Sequence, residues 1–291
     1  MKQNRTLSAL AVFVSAVLWG TYGSFVTVIS AGGMGRNIMQ AFRFGMTALT
    51  VCVIMLVRDR SMFRVRKEDR ILFLLNGFAS ILFFTTCYTM AIQETKIATA
   101  AALLYTAPAI VLVLSAILFR EKVNGKKVVC ILLSILGCAF VSGIAGGASG
   151  LTVRGLLLGL GAGLGYALYS IFSRYILDRG YSIYTNIFYT FGIATMSYLI
   201  WSAADGTLTQ PAQYPGTAFL AVLCGLFTGA AAYILYTWGL KGLESSRAAQ
   251  IATIEPVTAA LLGMILFHQT LSVPELFGVA LVVGSVLLMN L

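Results

Sequence analysis

Glu255 stands inside an apolar run, 248–268, of a 291-residue chain. As the eighth residue of that run it lies about 12 Å from the near end, at roughly 1.5 Å per residue of helix. A carboxylate near the centre of a bilayer costs about 2.5–3.5 kcal/mol on insertion scales. It therefore faces water, pairs with a cation or carries a proton, which points to cation recognition or proton coupling. The plainer alternative is a carboxylate that pins a helix bend beside Pro256. Arg43 is the only basic residue well inside an apolar run, about 9 Å from the far end by the same rise. It pairs with Glu255, holds an anionic group of a ligand, or reaches out to the headgroups.

Aromatic residues surround these charges in the pattern. Ser15, Trp19 and Tyr22 share one helical face, and Tyr166, Tyr169 and Ser173 repeat the arrangement later in the chain. Tyr88, Tyr105 and Tyr236 come from other runs. Buried phenols need partners, and rings beside a carboxylate suit an organic ammonium through cation–π attraction. Ordinary packing and aromatic belts at membrane interfaces are the competing explanation, and for Trp238 the belt is preferred. The expected ligand-binding set is Glu255, Trp19, Tyr22, Tyr88, Tyr105, Tyr169, Tyr236 and Arg43. Pro108 and Pro256 sit at matching places in two apolar runs, each removing a backbone donor and kinking its helix, as hinges or as static bends. Gly155, Gly159, Gly161, Gly163 and Gly165 suit close helix packing and fail the dinucleotide-binding pattern.

The elements that carry these residues follow from composition. The chain is 59% hydrophobic and 10% charged, against about 25% charged in soluble domains, so lipid is the solvent for much of it. Runs long enough to cross about 30 Å of hydrocarbon fall at 7–29, 38–57, 71–91, 97–119, 126–144, 154–177, 183–203, 216–240, 248–268 and 275–290. Lys2 to Arg5 followed by apolar residues resembles a signal peptide, but the run continues past Trp19 and is kept as the first span. The net charge of +10 lies between runs, which reads as orientation and not as nucleic-acid binding. With the N-terminus cytoplasmic, the opposite side keeps only Arg36, Lys96 and Arg154, so both termini are expected in the cytoplasm. The short loops leave no room for a nucleotide-binding domain, and G-x-x-x-x-G-K-[ST] is absent, which excludes direct ATP hydrolysis. His268 is the one histidine, so no multi-histidine metal site is expected. Cys52, Cys87, Cys130, Cys138 and Cys224 read as small buried thiols.

The chain also repeats itself. A shift of 148 residues aligns Phe84–Val123 with the second half without a gap, matching Tyr88-Thr89 to Tyr236-Thr237, Pro108 to Pro256 and Ile117-Leu118-Phe119 to Ile265-Leu266-Phe267. Glu255 matches Ala107, so the scaffold itself does not require charge there. Each unit has five spans, an odd number, so the copies enter the membrane from opposite sides. Many alternating-access carriers are built this way. Trp19-Gly20, Arg43-Phe44, Pro108, Leu118-Phe119-Arg120-Glu121, Glu255-Pro256, Gly137 and Gly284, in that order and spacing, resemble two tandem EamA domains of the drug/metabolite transporter superfamily. Gln269 departs from it, standing where Glu121 has its counterpart. The resemblance implies an all-α membrane protein of ten transmembrane helices, two inverted-topology five-helix repeats at 1–146 and 147–291. It implies a carrier in the cell membrane that is gradient-driven or facilitative and has no organic cofactor. The partners expected are a small polar or amphipathic metabolite, best an amine or amino acid, the lipid bilayer and a coupling proton. A non-transporting scaffold or sensor is the alternative. A membrane-embedded enzyme lacks the nucleophile and base it would need.

Overall fold

The computed structural model describes residues 4–95, 97–142, 152–268 and 270–290. Lys2, Lys96, Gln269 and the expected boundary at 146/147 lie outside the described residues. Helices α1 (Arg5–Ala31), α2 (Arg36–Arg58), α3 (Lys67–Glu94) and α4 (Thr99–Phe119) come first. A shorter helix, α5 (Gly125–Val141), has 17 residues. Then follow α6 (Val153–Asp178), α7 (Ile183–Ala204), α8 (Pro215–Gly239), α9 (Ser245–Phe267) and the shorter α10 (Val273–Met289). Eight of these are long and apolar enough to cross a membrane, and no strand occurs among the described residues. The chain is an all-helical, multi-pass membrane protein.

Several starts are set by side chains that accept from exposed helix N–H groups. Asn4 accepts from Thr6 at 2.9 Å, Asn124 from Lys127 at 2.8 Å and Thr152 from Gly155 at 3.0 Å. Helices α4 and α9 end alike, on a left-handed residue: Arg120 at φ 54° and His268 at φ 52°.

Three helices depart from the continuous spans expected from sequence. Helix α1 is interrupted at Thr21, whose hydroxyl turns back to donate to the Leu18 carbonyl at 2.7 Å. Helix α4 stops at Leu104 and restarts at Ala107; α9 stops at Ile251 and restarts at Ile254. Pro108 and Pro256 therefore do not kink continuous helices. Each lies in the first turn of a restarted half, where a proline has no helical N–H bond to lose. Helices α3 and α8 each contain a π-helical turn at matching places, Asn76–Leu82 and Gly225–Ala231.

Packing follows an exchange of the two halves. Helix α1 packs on α8 as α3 packs on α6, and α1 on α9 as α4 on α6; α2 lies along α7, and α5 along α10. The inner set is thus α1, α3, α4, α6, α8 and α9. Helices α5 and α10 meet where a Cβ on Gly278 would stand 2.7 Å from the Gly137 carbonyl oxygen, so neither glycine has room for a side chain. Gly284, the other glycine carrying the resemblance, has open space around it.

Candidate functional site

The inner helices bring rings together around a narrow cavity. Trp19 from α1 lies 5.0 Å from the Tyr233 ring, 5.1 Å from Tyr236 and 6.1 Å from Tyr166. Tyr169 sits 5.1 Å from Tyr233, and Ile81 and Phe84 of α3 complete the walls. Tilted and edge-to-face contacts of this kind are the favoured aromatic geometry. The phenols are held: Tyr169 pairs with Thr237 at 2.9 Å and Tyr236 with Ser170 at 2.6 Å. Trp19 is different, because its buried indole nitrogen has no hydrogen-bond partner among the described residues.

Glu255 stands at the mouth of this cluster, half-buried, in the first turn of the restarted half of α9. A carboxylate there faces the positive end of a helix dipole. The Tyr166 hydroxyl donates to its Oε2 at 3.4 Å, a long bond that leaves most of its accepting capacity free. The approach of α1 that brings Trp19 in depends on Gly20. A Cβ there would lie 2.8 Å from the Glu255 carbonyl oxygen and 2.5 Å from Thr258.

Arg43 lies inside the bundle, 6% exposed, rather than among headgroups. Its Nε donates to the Thr228 hydroxyl at 3.1 Å, and its guanidinium carbon stands 4.0 Å over the Tyr22 ring. Thr228 belongs to the π-helical turn of α8, and Gly225 and Gly229 of that turn let α2 approach closely. The Tyr22 hydroxyl in turn donates to Gln40 at 3.2 Å. No ion pair within 4 Å joins Arg43 to Glu255 among the described residues.

Of the residues singled out from sequence, Trp19, Tyr169 and Tyr236 share the cavity. Glu255 joins them through Tyr166, and Tyr22 stays with Arg43. Tyr88 is half-buried and stacks on Phe84 at 6.0 Å, while Tyr105 is buried at the interruption of α4. Tyr166, Tyr233, Ser170 and Thr228 were outside the expected set. Tyr166 already stood in the repeated aromatic pattern, and Tyr233 lies one helical turn before Tyr236. Thr228 gave no signal, since its aim depends on a π-helical turn.

One end of the bundle is dense in polar contacts, some between the halves and some within one. Glu121 accepts from the Ser245 amide at 2.7 Å, the Ser246 hydroxyl at 2.6 Å and the Ser115 hydroxyl at 3.0 Å. Lys127 pairs with Glu244 at 2.7 Å, and Arg174 donates to the Leu240 and Leu243 carbonyls at 3.2 and 3.0 Å. Arg66, Arg179 and Tyr181 converge on Asp69 at this charge-rich end.

The EamA-like transporter family's pattern matches this chain twice, at residues 6–143 and 153–291. The chain belongs to that family. A relative from Archaeoglobus fulgidus, named an uncharacterized transporter, is 30% identical over 96% of this chain and 94% of its own. The uncharacterized transporter YwfM of Bacillus subtilis is 24% identical, over 100% of this chain and 95% of its own. A solved crystal structure superposes with a TM-score of 0.83 at 19% identity, covering 98% of this chain and 96% of the other, which speaks for the fold. Family and relatives together make this EamA-like protein a membrane transporter.

Proposed function

We propose that this EamA-like transporter is a secondary carrier, gradient-driven or facilitative, for a small polar or amphipathic metabolite bearing a positive charge, an amine or amino acid fitting best. The observation that carries the reading is Glu255: a half-buried carboxylate in the middle of α9, beside a ring-lined cavity, with no cationic partner within 4 Å among the described residues. An ammonium supplies that partner, and the rings of Trp19 and Tyr166 add cation–π attraction. Arg43, with Tyr22, offers the second charge to an anionic group. When cargo leaves, a proton takes its place on Glu255, which couples the cycle to a proton gradient.

In this reading the chain makes ten crossings as two inverted five-helix repeats, 1–146 and 147–291, with both termini cytoplasmic in the cell membrane. Discontinuous helices at the interface of such repeats are a recurrent way to build a midplane site, and α4 and α9 supply them. The interruptions beside Pro108 and Pro256 are the hinges about which the halves rock, with Tyr88 and Tyr105 lining the path. A thermal-shift screen of the purified protein against amines, amino acids and nucleosides tests the site. An amine or amino acid should stabilise the wild type and fail to stabilise Glu255→Gln. A hit retained in both Glu255→Gln and Arg43→Ala overturns the assignment. Counterflow in liposomes should then respond to an imposed pH gradient, and indifference removes the proton.

A further inference from the structure

A groove on the outside of α4 and α5 is lined by apolar side chains alone, among them Ala109, Leu112, Ala116, Val128, Ile131 and Leu132. It is open along its length: Ile117 and Leu132 on its rim are 70% and 59% exposed. The loop that closes one end carries Arg120 and Lys122, and the first turn of α5 adds Lys126, all exposed. None of the three enters an ion pair among the described residues. The nearby acids are already occupied, Glu121 by Ser245 and Ser246 and Glu244 by Lys127.

The internal repeat shows that the fold does not require this combination. The α9–α10 loop opens with the same left-handed turn, at His268 in place of Arg120. At the 148-residue shift, Ala109 and Ala116 become Val257 and Met264, while Leu112 and Leu132 become Ala260 and Ala280, so the walls are differently shaped in the two repeats. Lys122 and Lys126 become Thr270 and Pro274, so the charge is not shared by the other repeat. The three cations beside the groove thus belong to one repeat, with His268, Thr270 and Pro274 in the corresponding places of the other.

We propose that this groove is a lipid site, holding one acyl chain of an anionic phospholipid whose phosphate lies among Arg120, Lys122 and Lys126. Apolar walls hold an acyl chain by close van der Waals contact, since a chain already in hydrocarbon gains nothing from the hydrophobic effect. Clustered cations at the membrane surface select an anionic headgroup over a zwitterionic one. From Ala109 to Ile117 the wall runs about 12 Å at the helical rise, enough to follow a substantial part of one chain. A second copy of this protein would cover the apolar walls but would leave three like charges facing its own basic loop.

Native mass spectrometry of the purified protein with phosphatidylglycerol and phosphatidylcholine of identical chains decides it. Phosphatidylglycerol should be retained at least about tenfold better, with the advantage shrinking as salt rises. Arg120→Gln/Lys122→Gln/Lys126→Gln should bring it down to the phosphatidylcholine level. Arg60→Gln/Arg64→Gln, in the other basic loop, should leave it unchanged. Ala116→Met, which copies Met264 and keeps every charge, should reduce retention of both lipids and keeps the test decisive if the triple variant does not fold. Equal retention of the two lipids, or undiminished retention of phosphatidylglycerol by Ala116→Met, overturns the proposal. So does a dimer that Ala116→Met abolishes, since a second copy would then be the occupant.

Discussion

Trp19 carries a buried N–H with no acceptor among the described residues, and a buried unpaired donor costs about 1–3 kcal/mol. Removing it should therefore not harm the empty protein. Trp19→Phe keeps a ring against Tyr233 and Tyr236, so its melting temperature should match or exceed that of the wild type. If cargo supplies the missing acceptor, the same substitution should weaken cargo binding by about ten- to a hundredfold, since a hydrogen bond to a charged group is worth about 1.5–3 kcal/mol. Titration of the two proteins with any stabilising amino acid separates these effects. A fall in stability together with unchanged affinity would mean that the indole only packs. Arg43→Lys is not a conservative change either. Lysine has no planar fork to bond Thr228 while stacking on Tyr22, so this variant should melt lower than the wild type in a thermal-shift assay.

Helical elements explain what sequence showed and what it hid. Length, apolarity and the repeat follow from patterns of residue type, and the EamA-like resemblance rested on motifs such as Glu255-Pro256 that the structure places at an interruption. The interruptions themselves were invisible, because a proline in an apolar run is compatible with a kinked helix or a broken one. The π-helical turns were hidden for a related reason: an extra residue in a turn alters the aim of Thr228 without altering composition. Glu121 shows the same limit. The motif marked it, but only the fold shows that it caps α9 from the other repeat, where the local Glu244 makes no side-chain cap. Losing a cap costs about 1 kcal/mol, a factor of about five in a two-state population. Glu121→Ala should raise thiol labelling of a Thr237→Cys reporter from the charge-rich end by roughly that factor, measured against the same reporter with Glu121 intact. At the opposite end Asp205 accepts from Asn37 at 2.7 Å, and the Thr207 hydroxyl holds its carboxyl below the usual range. A depressed carboxyl stabilises the fold above its unfolded pKa, near about 4. The small advantage of wild type over Asp205→Ala should be present at neutral pH and fade as pH falls below about 4, as melting curves across pH would show.

At the scale of the whole molecule, the two ends are tied unequally. The charge-rich end is joined across the halves by Glu121 on Ser245 and Ser246, by the largely buried Lys127 on Glu244, and by Arg179 and Tyr181 on Asp69. Across the other end the halves meet through Asn37 on Asp205 at 2.7 Å, through the Gly35 amide on Gln210 at 2.6 Å, and through Glu94 with Arg154 at 3.1 Å, whose side chains are 30% and 66% exposed. Exposed pairs of that kind contribute about 0–1 kcal/mol. Accessibility inside the bundle follows the same direction: Tyr22, Tyr88, Tyr166 and Glu255 are half-buried, while Trp19, Tyr169, Ser170 and Tyr236 are buried. The ring cluster is thus shut toward the charge-rich end and less tightly covered toward the other. In a cysteine-free background reconstituted with known orientation, Tyr88→Cys should react with an impermeant thiol reagent applied from the Glu94–Arg154 side. Ser170→Cys should resist reagent from either side. If the halves rock as proposed, they cannot open both ends at once, so adding Glu121→Ala and Lys127→Ala should reverse the pattern, exposing Ser170→Cys from the charge-rich side and protecting Tyr88→Cys. If both positions became reactive together, the bundle would be loosening as a whole, and alternating access between the two halves would be wrong.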